Sequence, residues 1–294
     1  MEKTKDKIAT TILYIISGFV ILLLVAFISY ILIKGGSSLT PSFIFGDPKF
    51  TEAGGGVGPQ LFNSFYLLII TLILTVPIGV GAGIYLAEYA KEGKILNVIR
   101  LSIETMAALP SIVVGLFGLV VFVQMAKWGY SLIAGALAIT ILNLSSMTRV
   151  CENAIKAASL GVKESSLGLG ATKWQTIKKV ILPMAMPQIL TGIILASGRI
   201  FGEAAALIYT AGMSASPLNF RNISLINKAS PFAITRSTET LAVYIWKVNS
   251  EGMLPDATKV ANGASAVLVI MVLLFNFTAR ILGKKLHESY TGKI

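Results

Sequence analysis

The sequence predicts an all-α, polytopic membrane protein with six transmembrane helices, and two observations predict it. Apolar side chains make up 54% of the 294 residues, charged ones only 13%, and the mean hydropathy is +0.77. A water-soluble domain has too little interior to hide that much apolar surface. The apolar residues are also gathered into six runs near the length a bilayer demands, about 20 residues of helix. These runs fall at roughly 8–33, 61–87, 105–126, 129–149, 187–213 and 259–281. No internal repeat or low-complexity tract divides the chain, so residues 1–294 read as one membrane domain.

Taken in order, the charged opening MEKTKDK leads into the first run, Ile8 to Ile33. That run is too long for the core of a cleaved signal peptide, so it is expected to remain as a span. Residues 35–60 are rich in Gly, Ser and Pro and read as an irregular loop. The second run carries small residues at Gly79–Gly83 just after Pro77, a pattern for close helix packing and a kink. The third and fourth runs are almost free of charge. The stretch at about 152–183 is polar and basic, whereas the fifth run holds two charges, Arg199 and Glu203. Beyond it lies a polar loop at about 214–257 with Pro217, Pro231 and Pro255. Within that loop Thr240–Val248 is apolar but too short to span, and reads as a re-entrant or interfacial helix with Tyr244 and Trp246 at the membrane surface.

A net charge of +11 in a soluble chain would suggest nucleic acid, but here the charges mark topology. With the N-terminus inside, sixteen of the 25 Lys and Arg fall on cytoplasmic segments, eight on outer ones, and Arg199 within a span. Basic residues collect on the cytoplasmic side of such proteins. Both termini and the 152–183 stretch are therefore expected in the cytoplasm, in the cytoplasmic (inner) membrane. The single cysteine, Cys151, excludes an internal disulfide and suits a buried apolar position. The single histidine, His287, belongs to the charged C-terminal tail, and no transition-metal site can be assembled from these residues. There is no G-x-x-x-x-G-K-[ST] phosphate loop, no H-E-x-x-H, and no pair of intramembrane carboxylates. Neither catalysis by this chain alone nor a resident cofactor is expected.

Glu164 to Pro183, ESSLGLGATKWQTIKKVILP, reads as helix, turn, helix. Ser165 and Ser166 keep the first piece slender, Gly168 and Gly170 break it, and Thr172 with Gln175 has the spacing of a capping box for the second. Trp174, Ile177 and Ile181 then share one face, Lys173, Lys178 and Lys179 cover the rest, and Pro183 is expected to end the helix. Spacing alone leaves two readings open, a helix offered to a partner's groove or one lying on anionic membrane lipid.

Arg199 and Glu203 are the other sharp feature. A charge at the bilayer centre costs on the order of 3 kcal/mol, so such residues usually face a cavity or a partner. Four positions apart, they share a helical face: either they lock helices together as an ion pair, or Arg199 lines the route of an anion. A guanidinium suits an oxyanion because its planar donors match two oxygens. Arg149 follows Asn143, Ser145, Ser146 and Thr148 at the end of the fourth run, and by position reads as a topology anchor.

The Glu164–Pro183 element resembles the EAA motif of ABC-importer permeases, with its Glu-Ala-Ala, Gly and Ile-x-Leu-Pro at the same intervals. Ser165 and Ser166 stand for the two alanines and Val180 for the isoleucine. The stretch Ala107–Phe117 resembles the Pro-Ser-Ile-Val-x-Gly-Leu-Phe segment of phosphate-importer permeases, and Ile194–Gly212 their Arg-x-x-Gly-Glu-Thr-Ala-Pro signature. The similarity is closest to the PstA type and runs from about Asn63 to Gly212, more weakly to the C-terminus. One departure is Ala204 and Ala206, where the family has Thr and Pro.

This resemblance implies a type I ABC-importer permease fold with a core region at about 61–281. It also implies a transporter subunit that moves inorganic phosphate while a partner hydrolyses ATP. The implied partners are a homologous permease of PstC type, a cytoplasmic ATPase dimer of PstB type and an outer phosphate-binding protein of PstS type, with no nucleic acid. By the same resemblance, Glu164, Ser165, Ser166, Gly170, Ala171, Thr172, Lys173 and Trp174 meet the ATPase, and Arg149, Arg199 and Glu203 serve the substrate path. The nearest rival is the same machinery carrying sulfate or molybdate. A self-contained secondary transporter would need inverted repeats and several coupling acids, and Glu203 stands alone.

Overall fold

The computed structural model describes residues 2–49, 52–214, 218, 220, 221, 223–251 and 255–291. Pro217 and the side chain of His287 lie outside the described parts. Twelve helices follow one another among the described residues, and no strand does. They are α1 (Glu2–Gly36), α2 (Pro41–Phe45), α3 (Gly58–Ile84), α4 (Lys94–Ala107), α5 (Ser111–Gly118), α6 (Leu132–Ser159), α7 (Val162–Gly168), α8 (Lys173–Thr176), α9 (Leu182–Phe201), α10 (Ala205–Thr210), α11 (Leu241–Glu251) and α12 (Ala257–Thr291). Single π turns extend α3 (Tyr85–Tyr89) and α5 (Leu119–Met125) and join α8 to α9 (Ile177–Ile181).

Among the described residues, five helical rods are long and apolar enough to cross a bilayer: Lys5–Gly36, Gly58–Tyr89, Leu132–Ser159, Lys173–Phe201 and Ala257–Lys285. The expected third span is not one straight rod. Lys94–Ala107 and Ser111–Met125 meet at a bend of 96°, so residues 105–107 end one helix and Ser111 begins another. Pro110 is the cause: its backbone is extended at φ −61°, ψ 137°, and a residue before proline is pushed out of the helical region. The eight residues of α5 and the seven of its π turn make a short apolar piece, about 22 Å long at 1.5 Å per residue.

The fourth span continues to Ser159, so Arg149 lies within α6 rather than closing it. The fifth departs at both ends. Pro183 does not end the second arm of the Glu164 element; α8 runs through the π turn into α9 without leaving the helix. Proline removes one helical N–H, and a wider i→i+5 turn just before it is how a helix accommodates that loss. At the far end the rod stops at Phe201, and residues 202–204 leave the helix before α10 begins. Of the expected 35–60 loop, α1 takes residues 35–36 and α3 residues 58–60; the described residues between are irregular except for α2, which Thr40 caps by accepting from the Phe43 N–H.

Glycines set the close helix contacts. Gly79 and Gly83 lie one turn apart on α3 and face Met147 and Cys151 of α6; a Cβ at Gly79 would sit 2.7 Å from the Met147 Cγ, and one at Gly83 2.9 Å from the Glu152 nitrogen. Gly192 of α9 meets Val150, and Gly35 brings the end of α1 onto the Asn262 carbonyl of α12. Elsewhere α1 is exposed along its apolar length. One core, with Leu67, Leu132, Ile139, Phe201 and Leu241, fills the half nearer residues 211–256. A smaller one, with Met147, Cys151, Ile155, Ile177 and Ile181, fills the half nearer α7 and α8. Cys151 is fully buried there, as its apolar character requires.

The described residues of the 211–256 segment do not form a free loop. Its residues 234–238 cross the start of α6, where the otherwise orphaned N–H groups of Leu132 and Ile133 donate to the carbonyls of Arg236 and Ile234, both at 2.9 Å. Tyr244 of α11 is buried rather than at a surface, and only Trp246 of the expected pair is exposed.

Candidate functional site

The α7–α8 hairpin is built as its sequence demands. Gly170 takes a left-handed φ of +85°, which ends α7 after Gly168, and the Leu169, Gly170 and Ala171 N–H groups close back onto the Ser165, Leu167 and Ser166 carbonyls. The capping box starts α8: the Gln175 N–H donates to the Thr172 hydroxyl at 3.3 Å, and the Thr172 N–H to the Gln175 side chain at 2.9 Å. The two arms are tied by the Ser166 and Thr176 hydroxyls, 2.9 Å apart. Ile177 and Ile181 are buried, but Trp174 is not on their face; it is 56% exposed, and Leu169 and Leu160 are 90% and 80% exposed. The hairpin thus presents apolar side chains outward, with Glu164, Ser165, Gly170 and Thr172 exposed among them.

Lys173 behaves differently from its neighbours. Its Nζ donates to the Glu88 carbonyl and stands 4.5 Å from the centre of the Tyr89 ring, so it turns toward the end of α3. Lys163, on the other arm, places its Nζ 2.7 Å from the Glu88 carboxylate. Glu88 was not singled out from sequence; an acid closing an apolar run is an unremarkable signal until the fold brings lysines 75 and 85 positions away onto it.

The charges of the spans are separated. Arg199 sits on the last turn of α9 and is exposed, while Glu203 lies beyond the break, its carboxylate accepting from the Ala206 N–H at 3.3 Å. Among the described residues no ion pair joins them, and none engages the Arg199 guanidinium. Loss of helix at 202–204 is the reason, since it removes the one-turn register that would bring the two together. The break forms without the family's proline: Gly202 terminates α9, and Ala204 has φ −121°, ψ −47°. The third- and fifth-span motifs do meet. A Cβ on Gly115 would lie 2.7 Å from the Ala206 Cα, and one on Gly118 2.6 Å from the Thr210 methyl.

Arg149 is no lone anchor. It pairs with Glu104 of α4. Beside it Glu152, almost fully buried, accepts from Arg100 at 3.0 Å and from Lys156 at 2.7 Å. These groups line a charged cavity of about 260 Å³. Of this cluster, only the Glu152–Lys156 spacing was readable locally; Arg100 and Glu104 reach it through the fold.

A bundle of apolar rods, with buried polar ties at one end and an exposed helical hairpin at the other, has the build of a membrane transport component. The chain belongs to the family described as binding-protein-dependent transport system inner membrane component, whose model matches residues 79–291. Among similar proteins, the "Probable ABC transporter permease protein YqgI" of Bacillus subtilis (strain 168) is 50% identical over 291 residues, 99% of each chain. The "Phosphate transport system permease protein PstA" of Yersinia pestis is 33% identical over 243 residues, covering 82% of this chain and 77% of that one. The fold is also that of the MetNI methionine ABC transporter in inward-facing conformations, at TM-score 0.56 and 19% identity over 79% of this chain and 94% of that one. A bacterial alginate ABC transporter in complex with a periplasmic protein matches at TM-score 0.53 and 18% identity, over 78% and 79%.

Proposed function

We propose that this chain is a permease subunit of an ATP-driven importer of inorganic phosphate in the cytoplasmic membrane, with both termini and the α7–α8 hairpin inside. The observation that carries the anion reading is Arg199, a guanidinium in a membrane-crossing rod with no counter-charge among the described residues. A cation so placed calls for an anion or a partner's acid. Similarity to a phosphate permease over most of the chain makes phosphate the first choice.

In this reading Arg199 offsets the anion's charge along a path shared with a homologous permease. Arg149 is held by Glu104 near the cytoplasmic end, and Glu203 shapes the break that leaves Arg199 free. A binding protein delivers phosphate at the end formed by residues 211–256. A cytoplasmic ATPase dimer grips the exposed hairpin through Glu164, Ser165, Ser166, Gly170, Ala171, Thr172 and Trp174, and its closure rocks the spans between outward and inward states. Ala204 and Ala206 keep a second reading alive, in which the same machine carries sulfate or molybdate.

The test is ATP hydrolysis by the purified transporter with its loaded binding protein, comparing phosphate, sulfate and molybdate. Stimulation by phosphate alone, lost in Arg199→Ala, supports the reading. Equal or greater stimulation by another oxyanion replaces the substrate, and the absence of any associated ATPase removes the importer.

A further inference from the structure

The hairpin is joined by the chain itself to α6 on one side and to α9 on the other, but α3 has no such link. What ties α3 to it is concentrated on one residue. Glu88 lies in the π turn that closes α3, a helical irregularity that collects at functional positions. Its side chain is only 1% exposed, and its carboxylate meets Lys163 of α7 at 2.7 Å. Its carbonyl, orphaned at the end of the helix, takes the Nζ of Lys173 at the start of α8. Both arms therefore hold the same residue, one by its charge and one by its backbone, and the Ser166–Thr176 contact keeps the arms together. Apolar contacts also lie here, with Ile84 and Ala87 against the core around Ile177 and Ile181. Such contacts have no direction and let helices slide, whereas an ion pair anchored on a buried acid favours one register.

We propose that Glu88 is a positioning residue that couples the hairpin to the second span, so that displacement of α7 and α8 is delivered to α3 as well as to α6 and α9. The proposal rests on the reading that an ATPase moves the hairpin. It assigns Lys163 and Lys173 to the permease's own interior linkage, in contrast to Trp174 and Leu169, which face outward.

The measurement is substrate taken up per ATP hydrolysed by the transporter purified with its partner subunits and reconstituted in vesicles, together with amide hydrogen exchange with and without nucleotide. Glu88→Gln keeps the shape and the carbonyl contact but removes the charge. It is expected to retain ATP hydrolysis within about two-fold while uptake per ATP falls at least about ten-fold, a factor worth about 1.4 kcal/mol. Lys163→Gln should do the same, and the reversed pair, Glu88→Lys with Lys163→Glu, should recover much of the ratio; that recovery also covers the case in which Glu88→Gln fails to fold. Nucleotide-dependent exchange at residues 79–89 should vanish in Glu88→Gln while that at 182–201 persists. An unchanged uptake ratio, or unchanged nucleotide response at 79–89, overturns the proposal alone. A hairpin insensitive to nucleotide in the unmodified protein overturns the docking reading and this one with it.

Discussion

The two ends of the bundle bury their cations to different depths. At the end formed by residues 211–256, charges are buried and settled within the chain. Glu239 is fully buried and takes Lys247 at 3.1 Å and Gln60 at 2.9 Å, while Arg236, 5% exposed, donates to Asn63 and to the Pro231 carbonyl. At the hairpin end Glu88 and Glu152 are also buried, but their cations Lys163, Arg100 and Lys156 are 36%, 29% and 43% exposed, and Glu164, Lys178 and Lys179 lie at the surface with Leu169 and Trp174. A hairpin that leaves Leu169 and Trp174 in water offers a face to a partner.

That contrast can be broken most sharply at Lys247. Lys247→Ala leaves the Glu239 carboxylate buried without its ammonium, and breaking a buried pair from one side costs roughly 3 kcal/mol or more. A fall of several degrees in thermal unfolding of the purified protein would register it, and an unchanged midpoint would mean that the pair is dispensable. Next comes Gly83→Ala, between the two ends. Its new methyl meets the backbone of α6, and overpacking of this kind costs about 1–3 kcal/mol, read by the same unfolding measurement.

A smaller effect is expected in the pH profile. Burial pushes the Glu239 carboxyl above its ordinary range, with Gln60 and Lys247 opposing. An acid whose folded pKa is raised contributes most to stability when it is protonated, below the unfolded value of about 4.3, and that contribution is lost as pH rises through the folded pKa. Glu239→Gln should flatten this part of the profile, so its midpoint relative to the unmodified protein should improve from acid toward neutral pH. The smallest effect on folding belongs to the hairpin surface. Leu169→Ser and Trp174→Ser should change unfolding by less than about 0.5 kcal/mol, as exposed substitutions do. Each should nevertheless weaken ATPase association by about 30-fold, the size of a 2 kcal/mol contact. Loss of stability with full ATPase binding would reverse the assignment of the two ends.

Much of this was readable in the chain, and the reasons for the rest are physical. Run length located the membrane rods, because a bilayer sets a minimum number of apolar residues. Thr172, Gln175 and Gly170 announced the hairpin because caps and left-handed turns are local chemistry. The helix ends were misread where a local signal was overridden. Pro183 stops a lone helix, but a π turn ending two residues earlier lets the rod continue. Pro110 does break its helix, and an apolar stretch drawn across it as a single span overlooked that break. The Arg199–Glu203 spacing predicted a shared face only as long as the helix lasted. Glu88, Glu104 and Arg100 join Lys163, Arg149 and Glu152, partners at least 45 positions away, which spacing cannot reveal.

The unbroken rod from Lys173 to Phe201 carries a last consequence. Because hairpin arm and span are one piece, Lys173 and Arg199 are the two tips of a lever about 39 Å long at 1.5 Å per residue. A tilt of about 5° with one tip held sweeps the other through about 3 Å, the length of a hydrogen bond. In the proposed reading, with the pivot at mid-rod, each tip moves about half as far and in opposite directions, so a stroke at the hairpin is carried to the guanidinium.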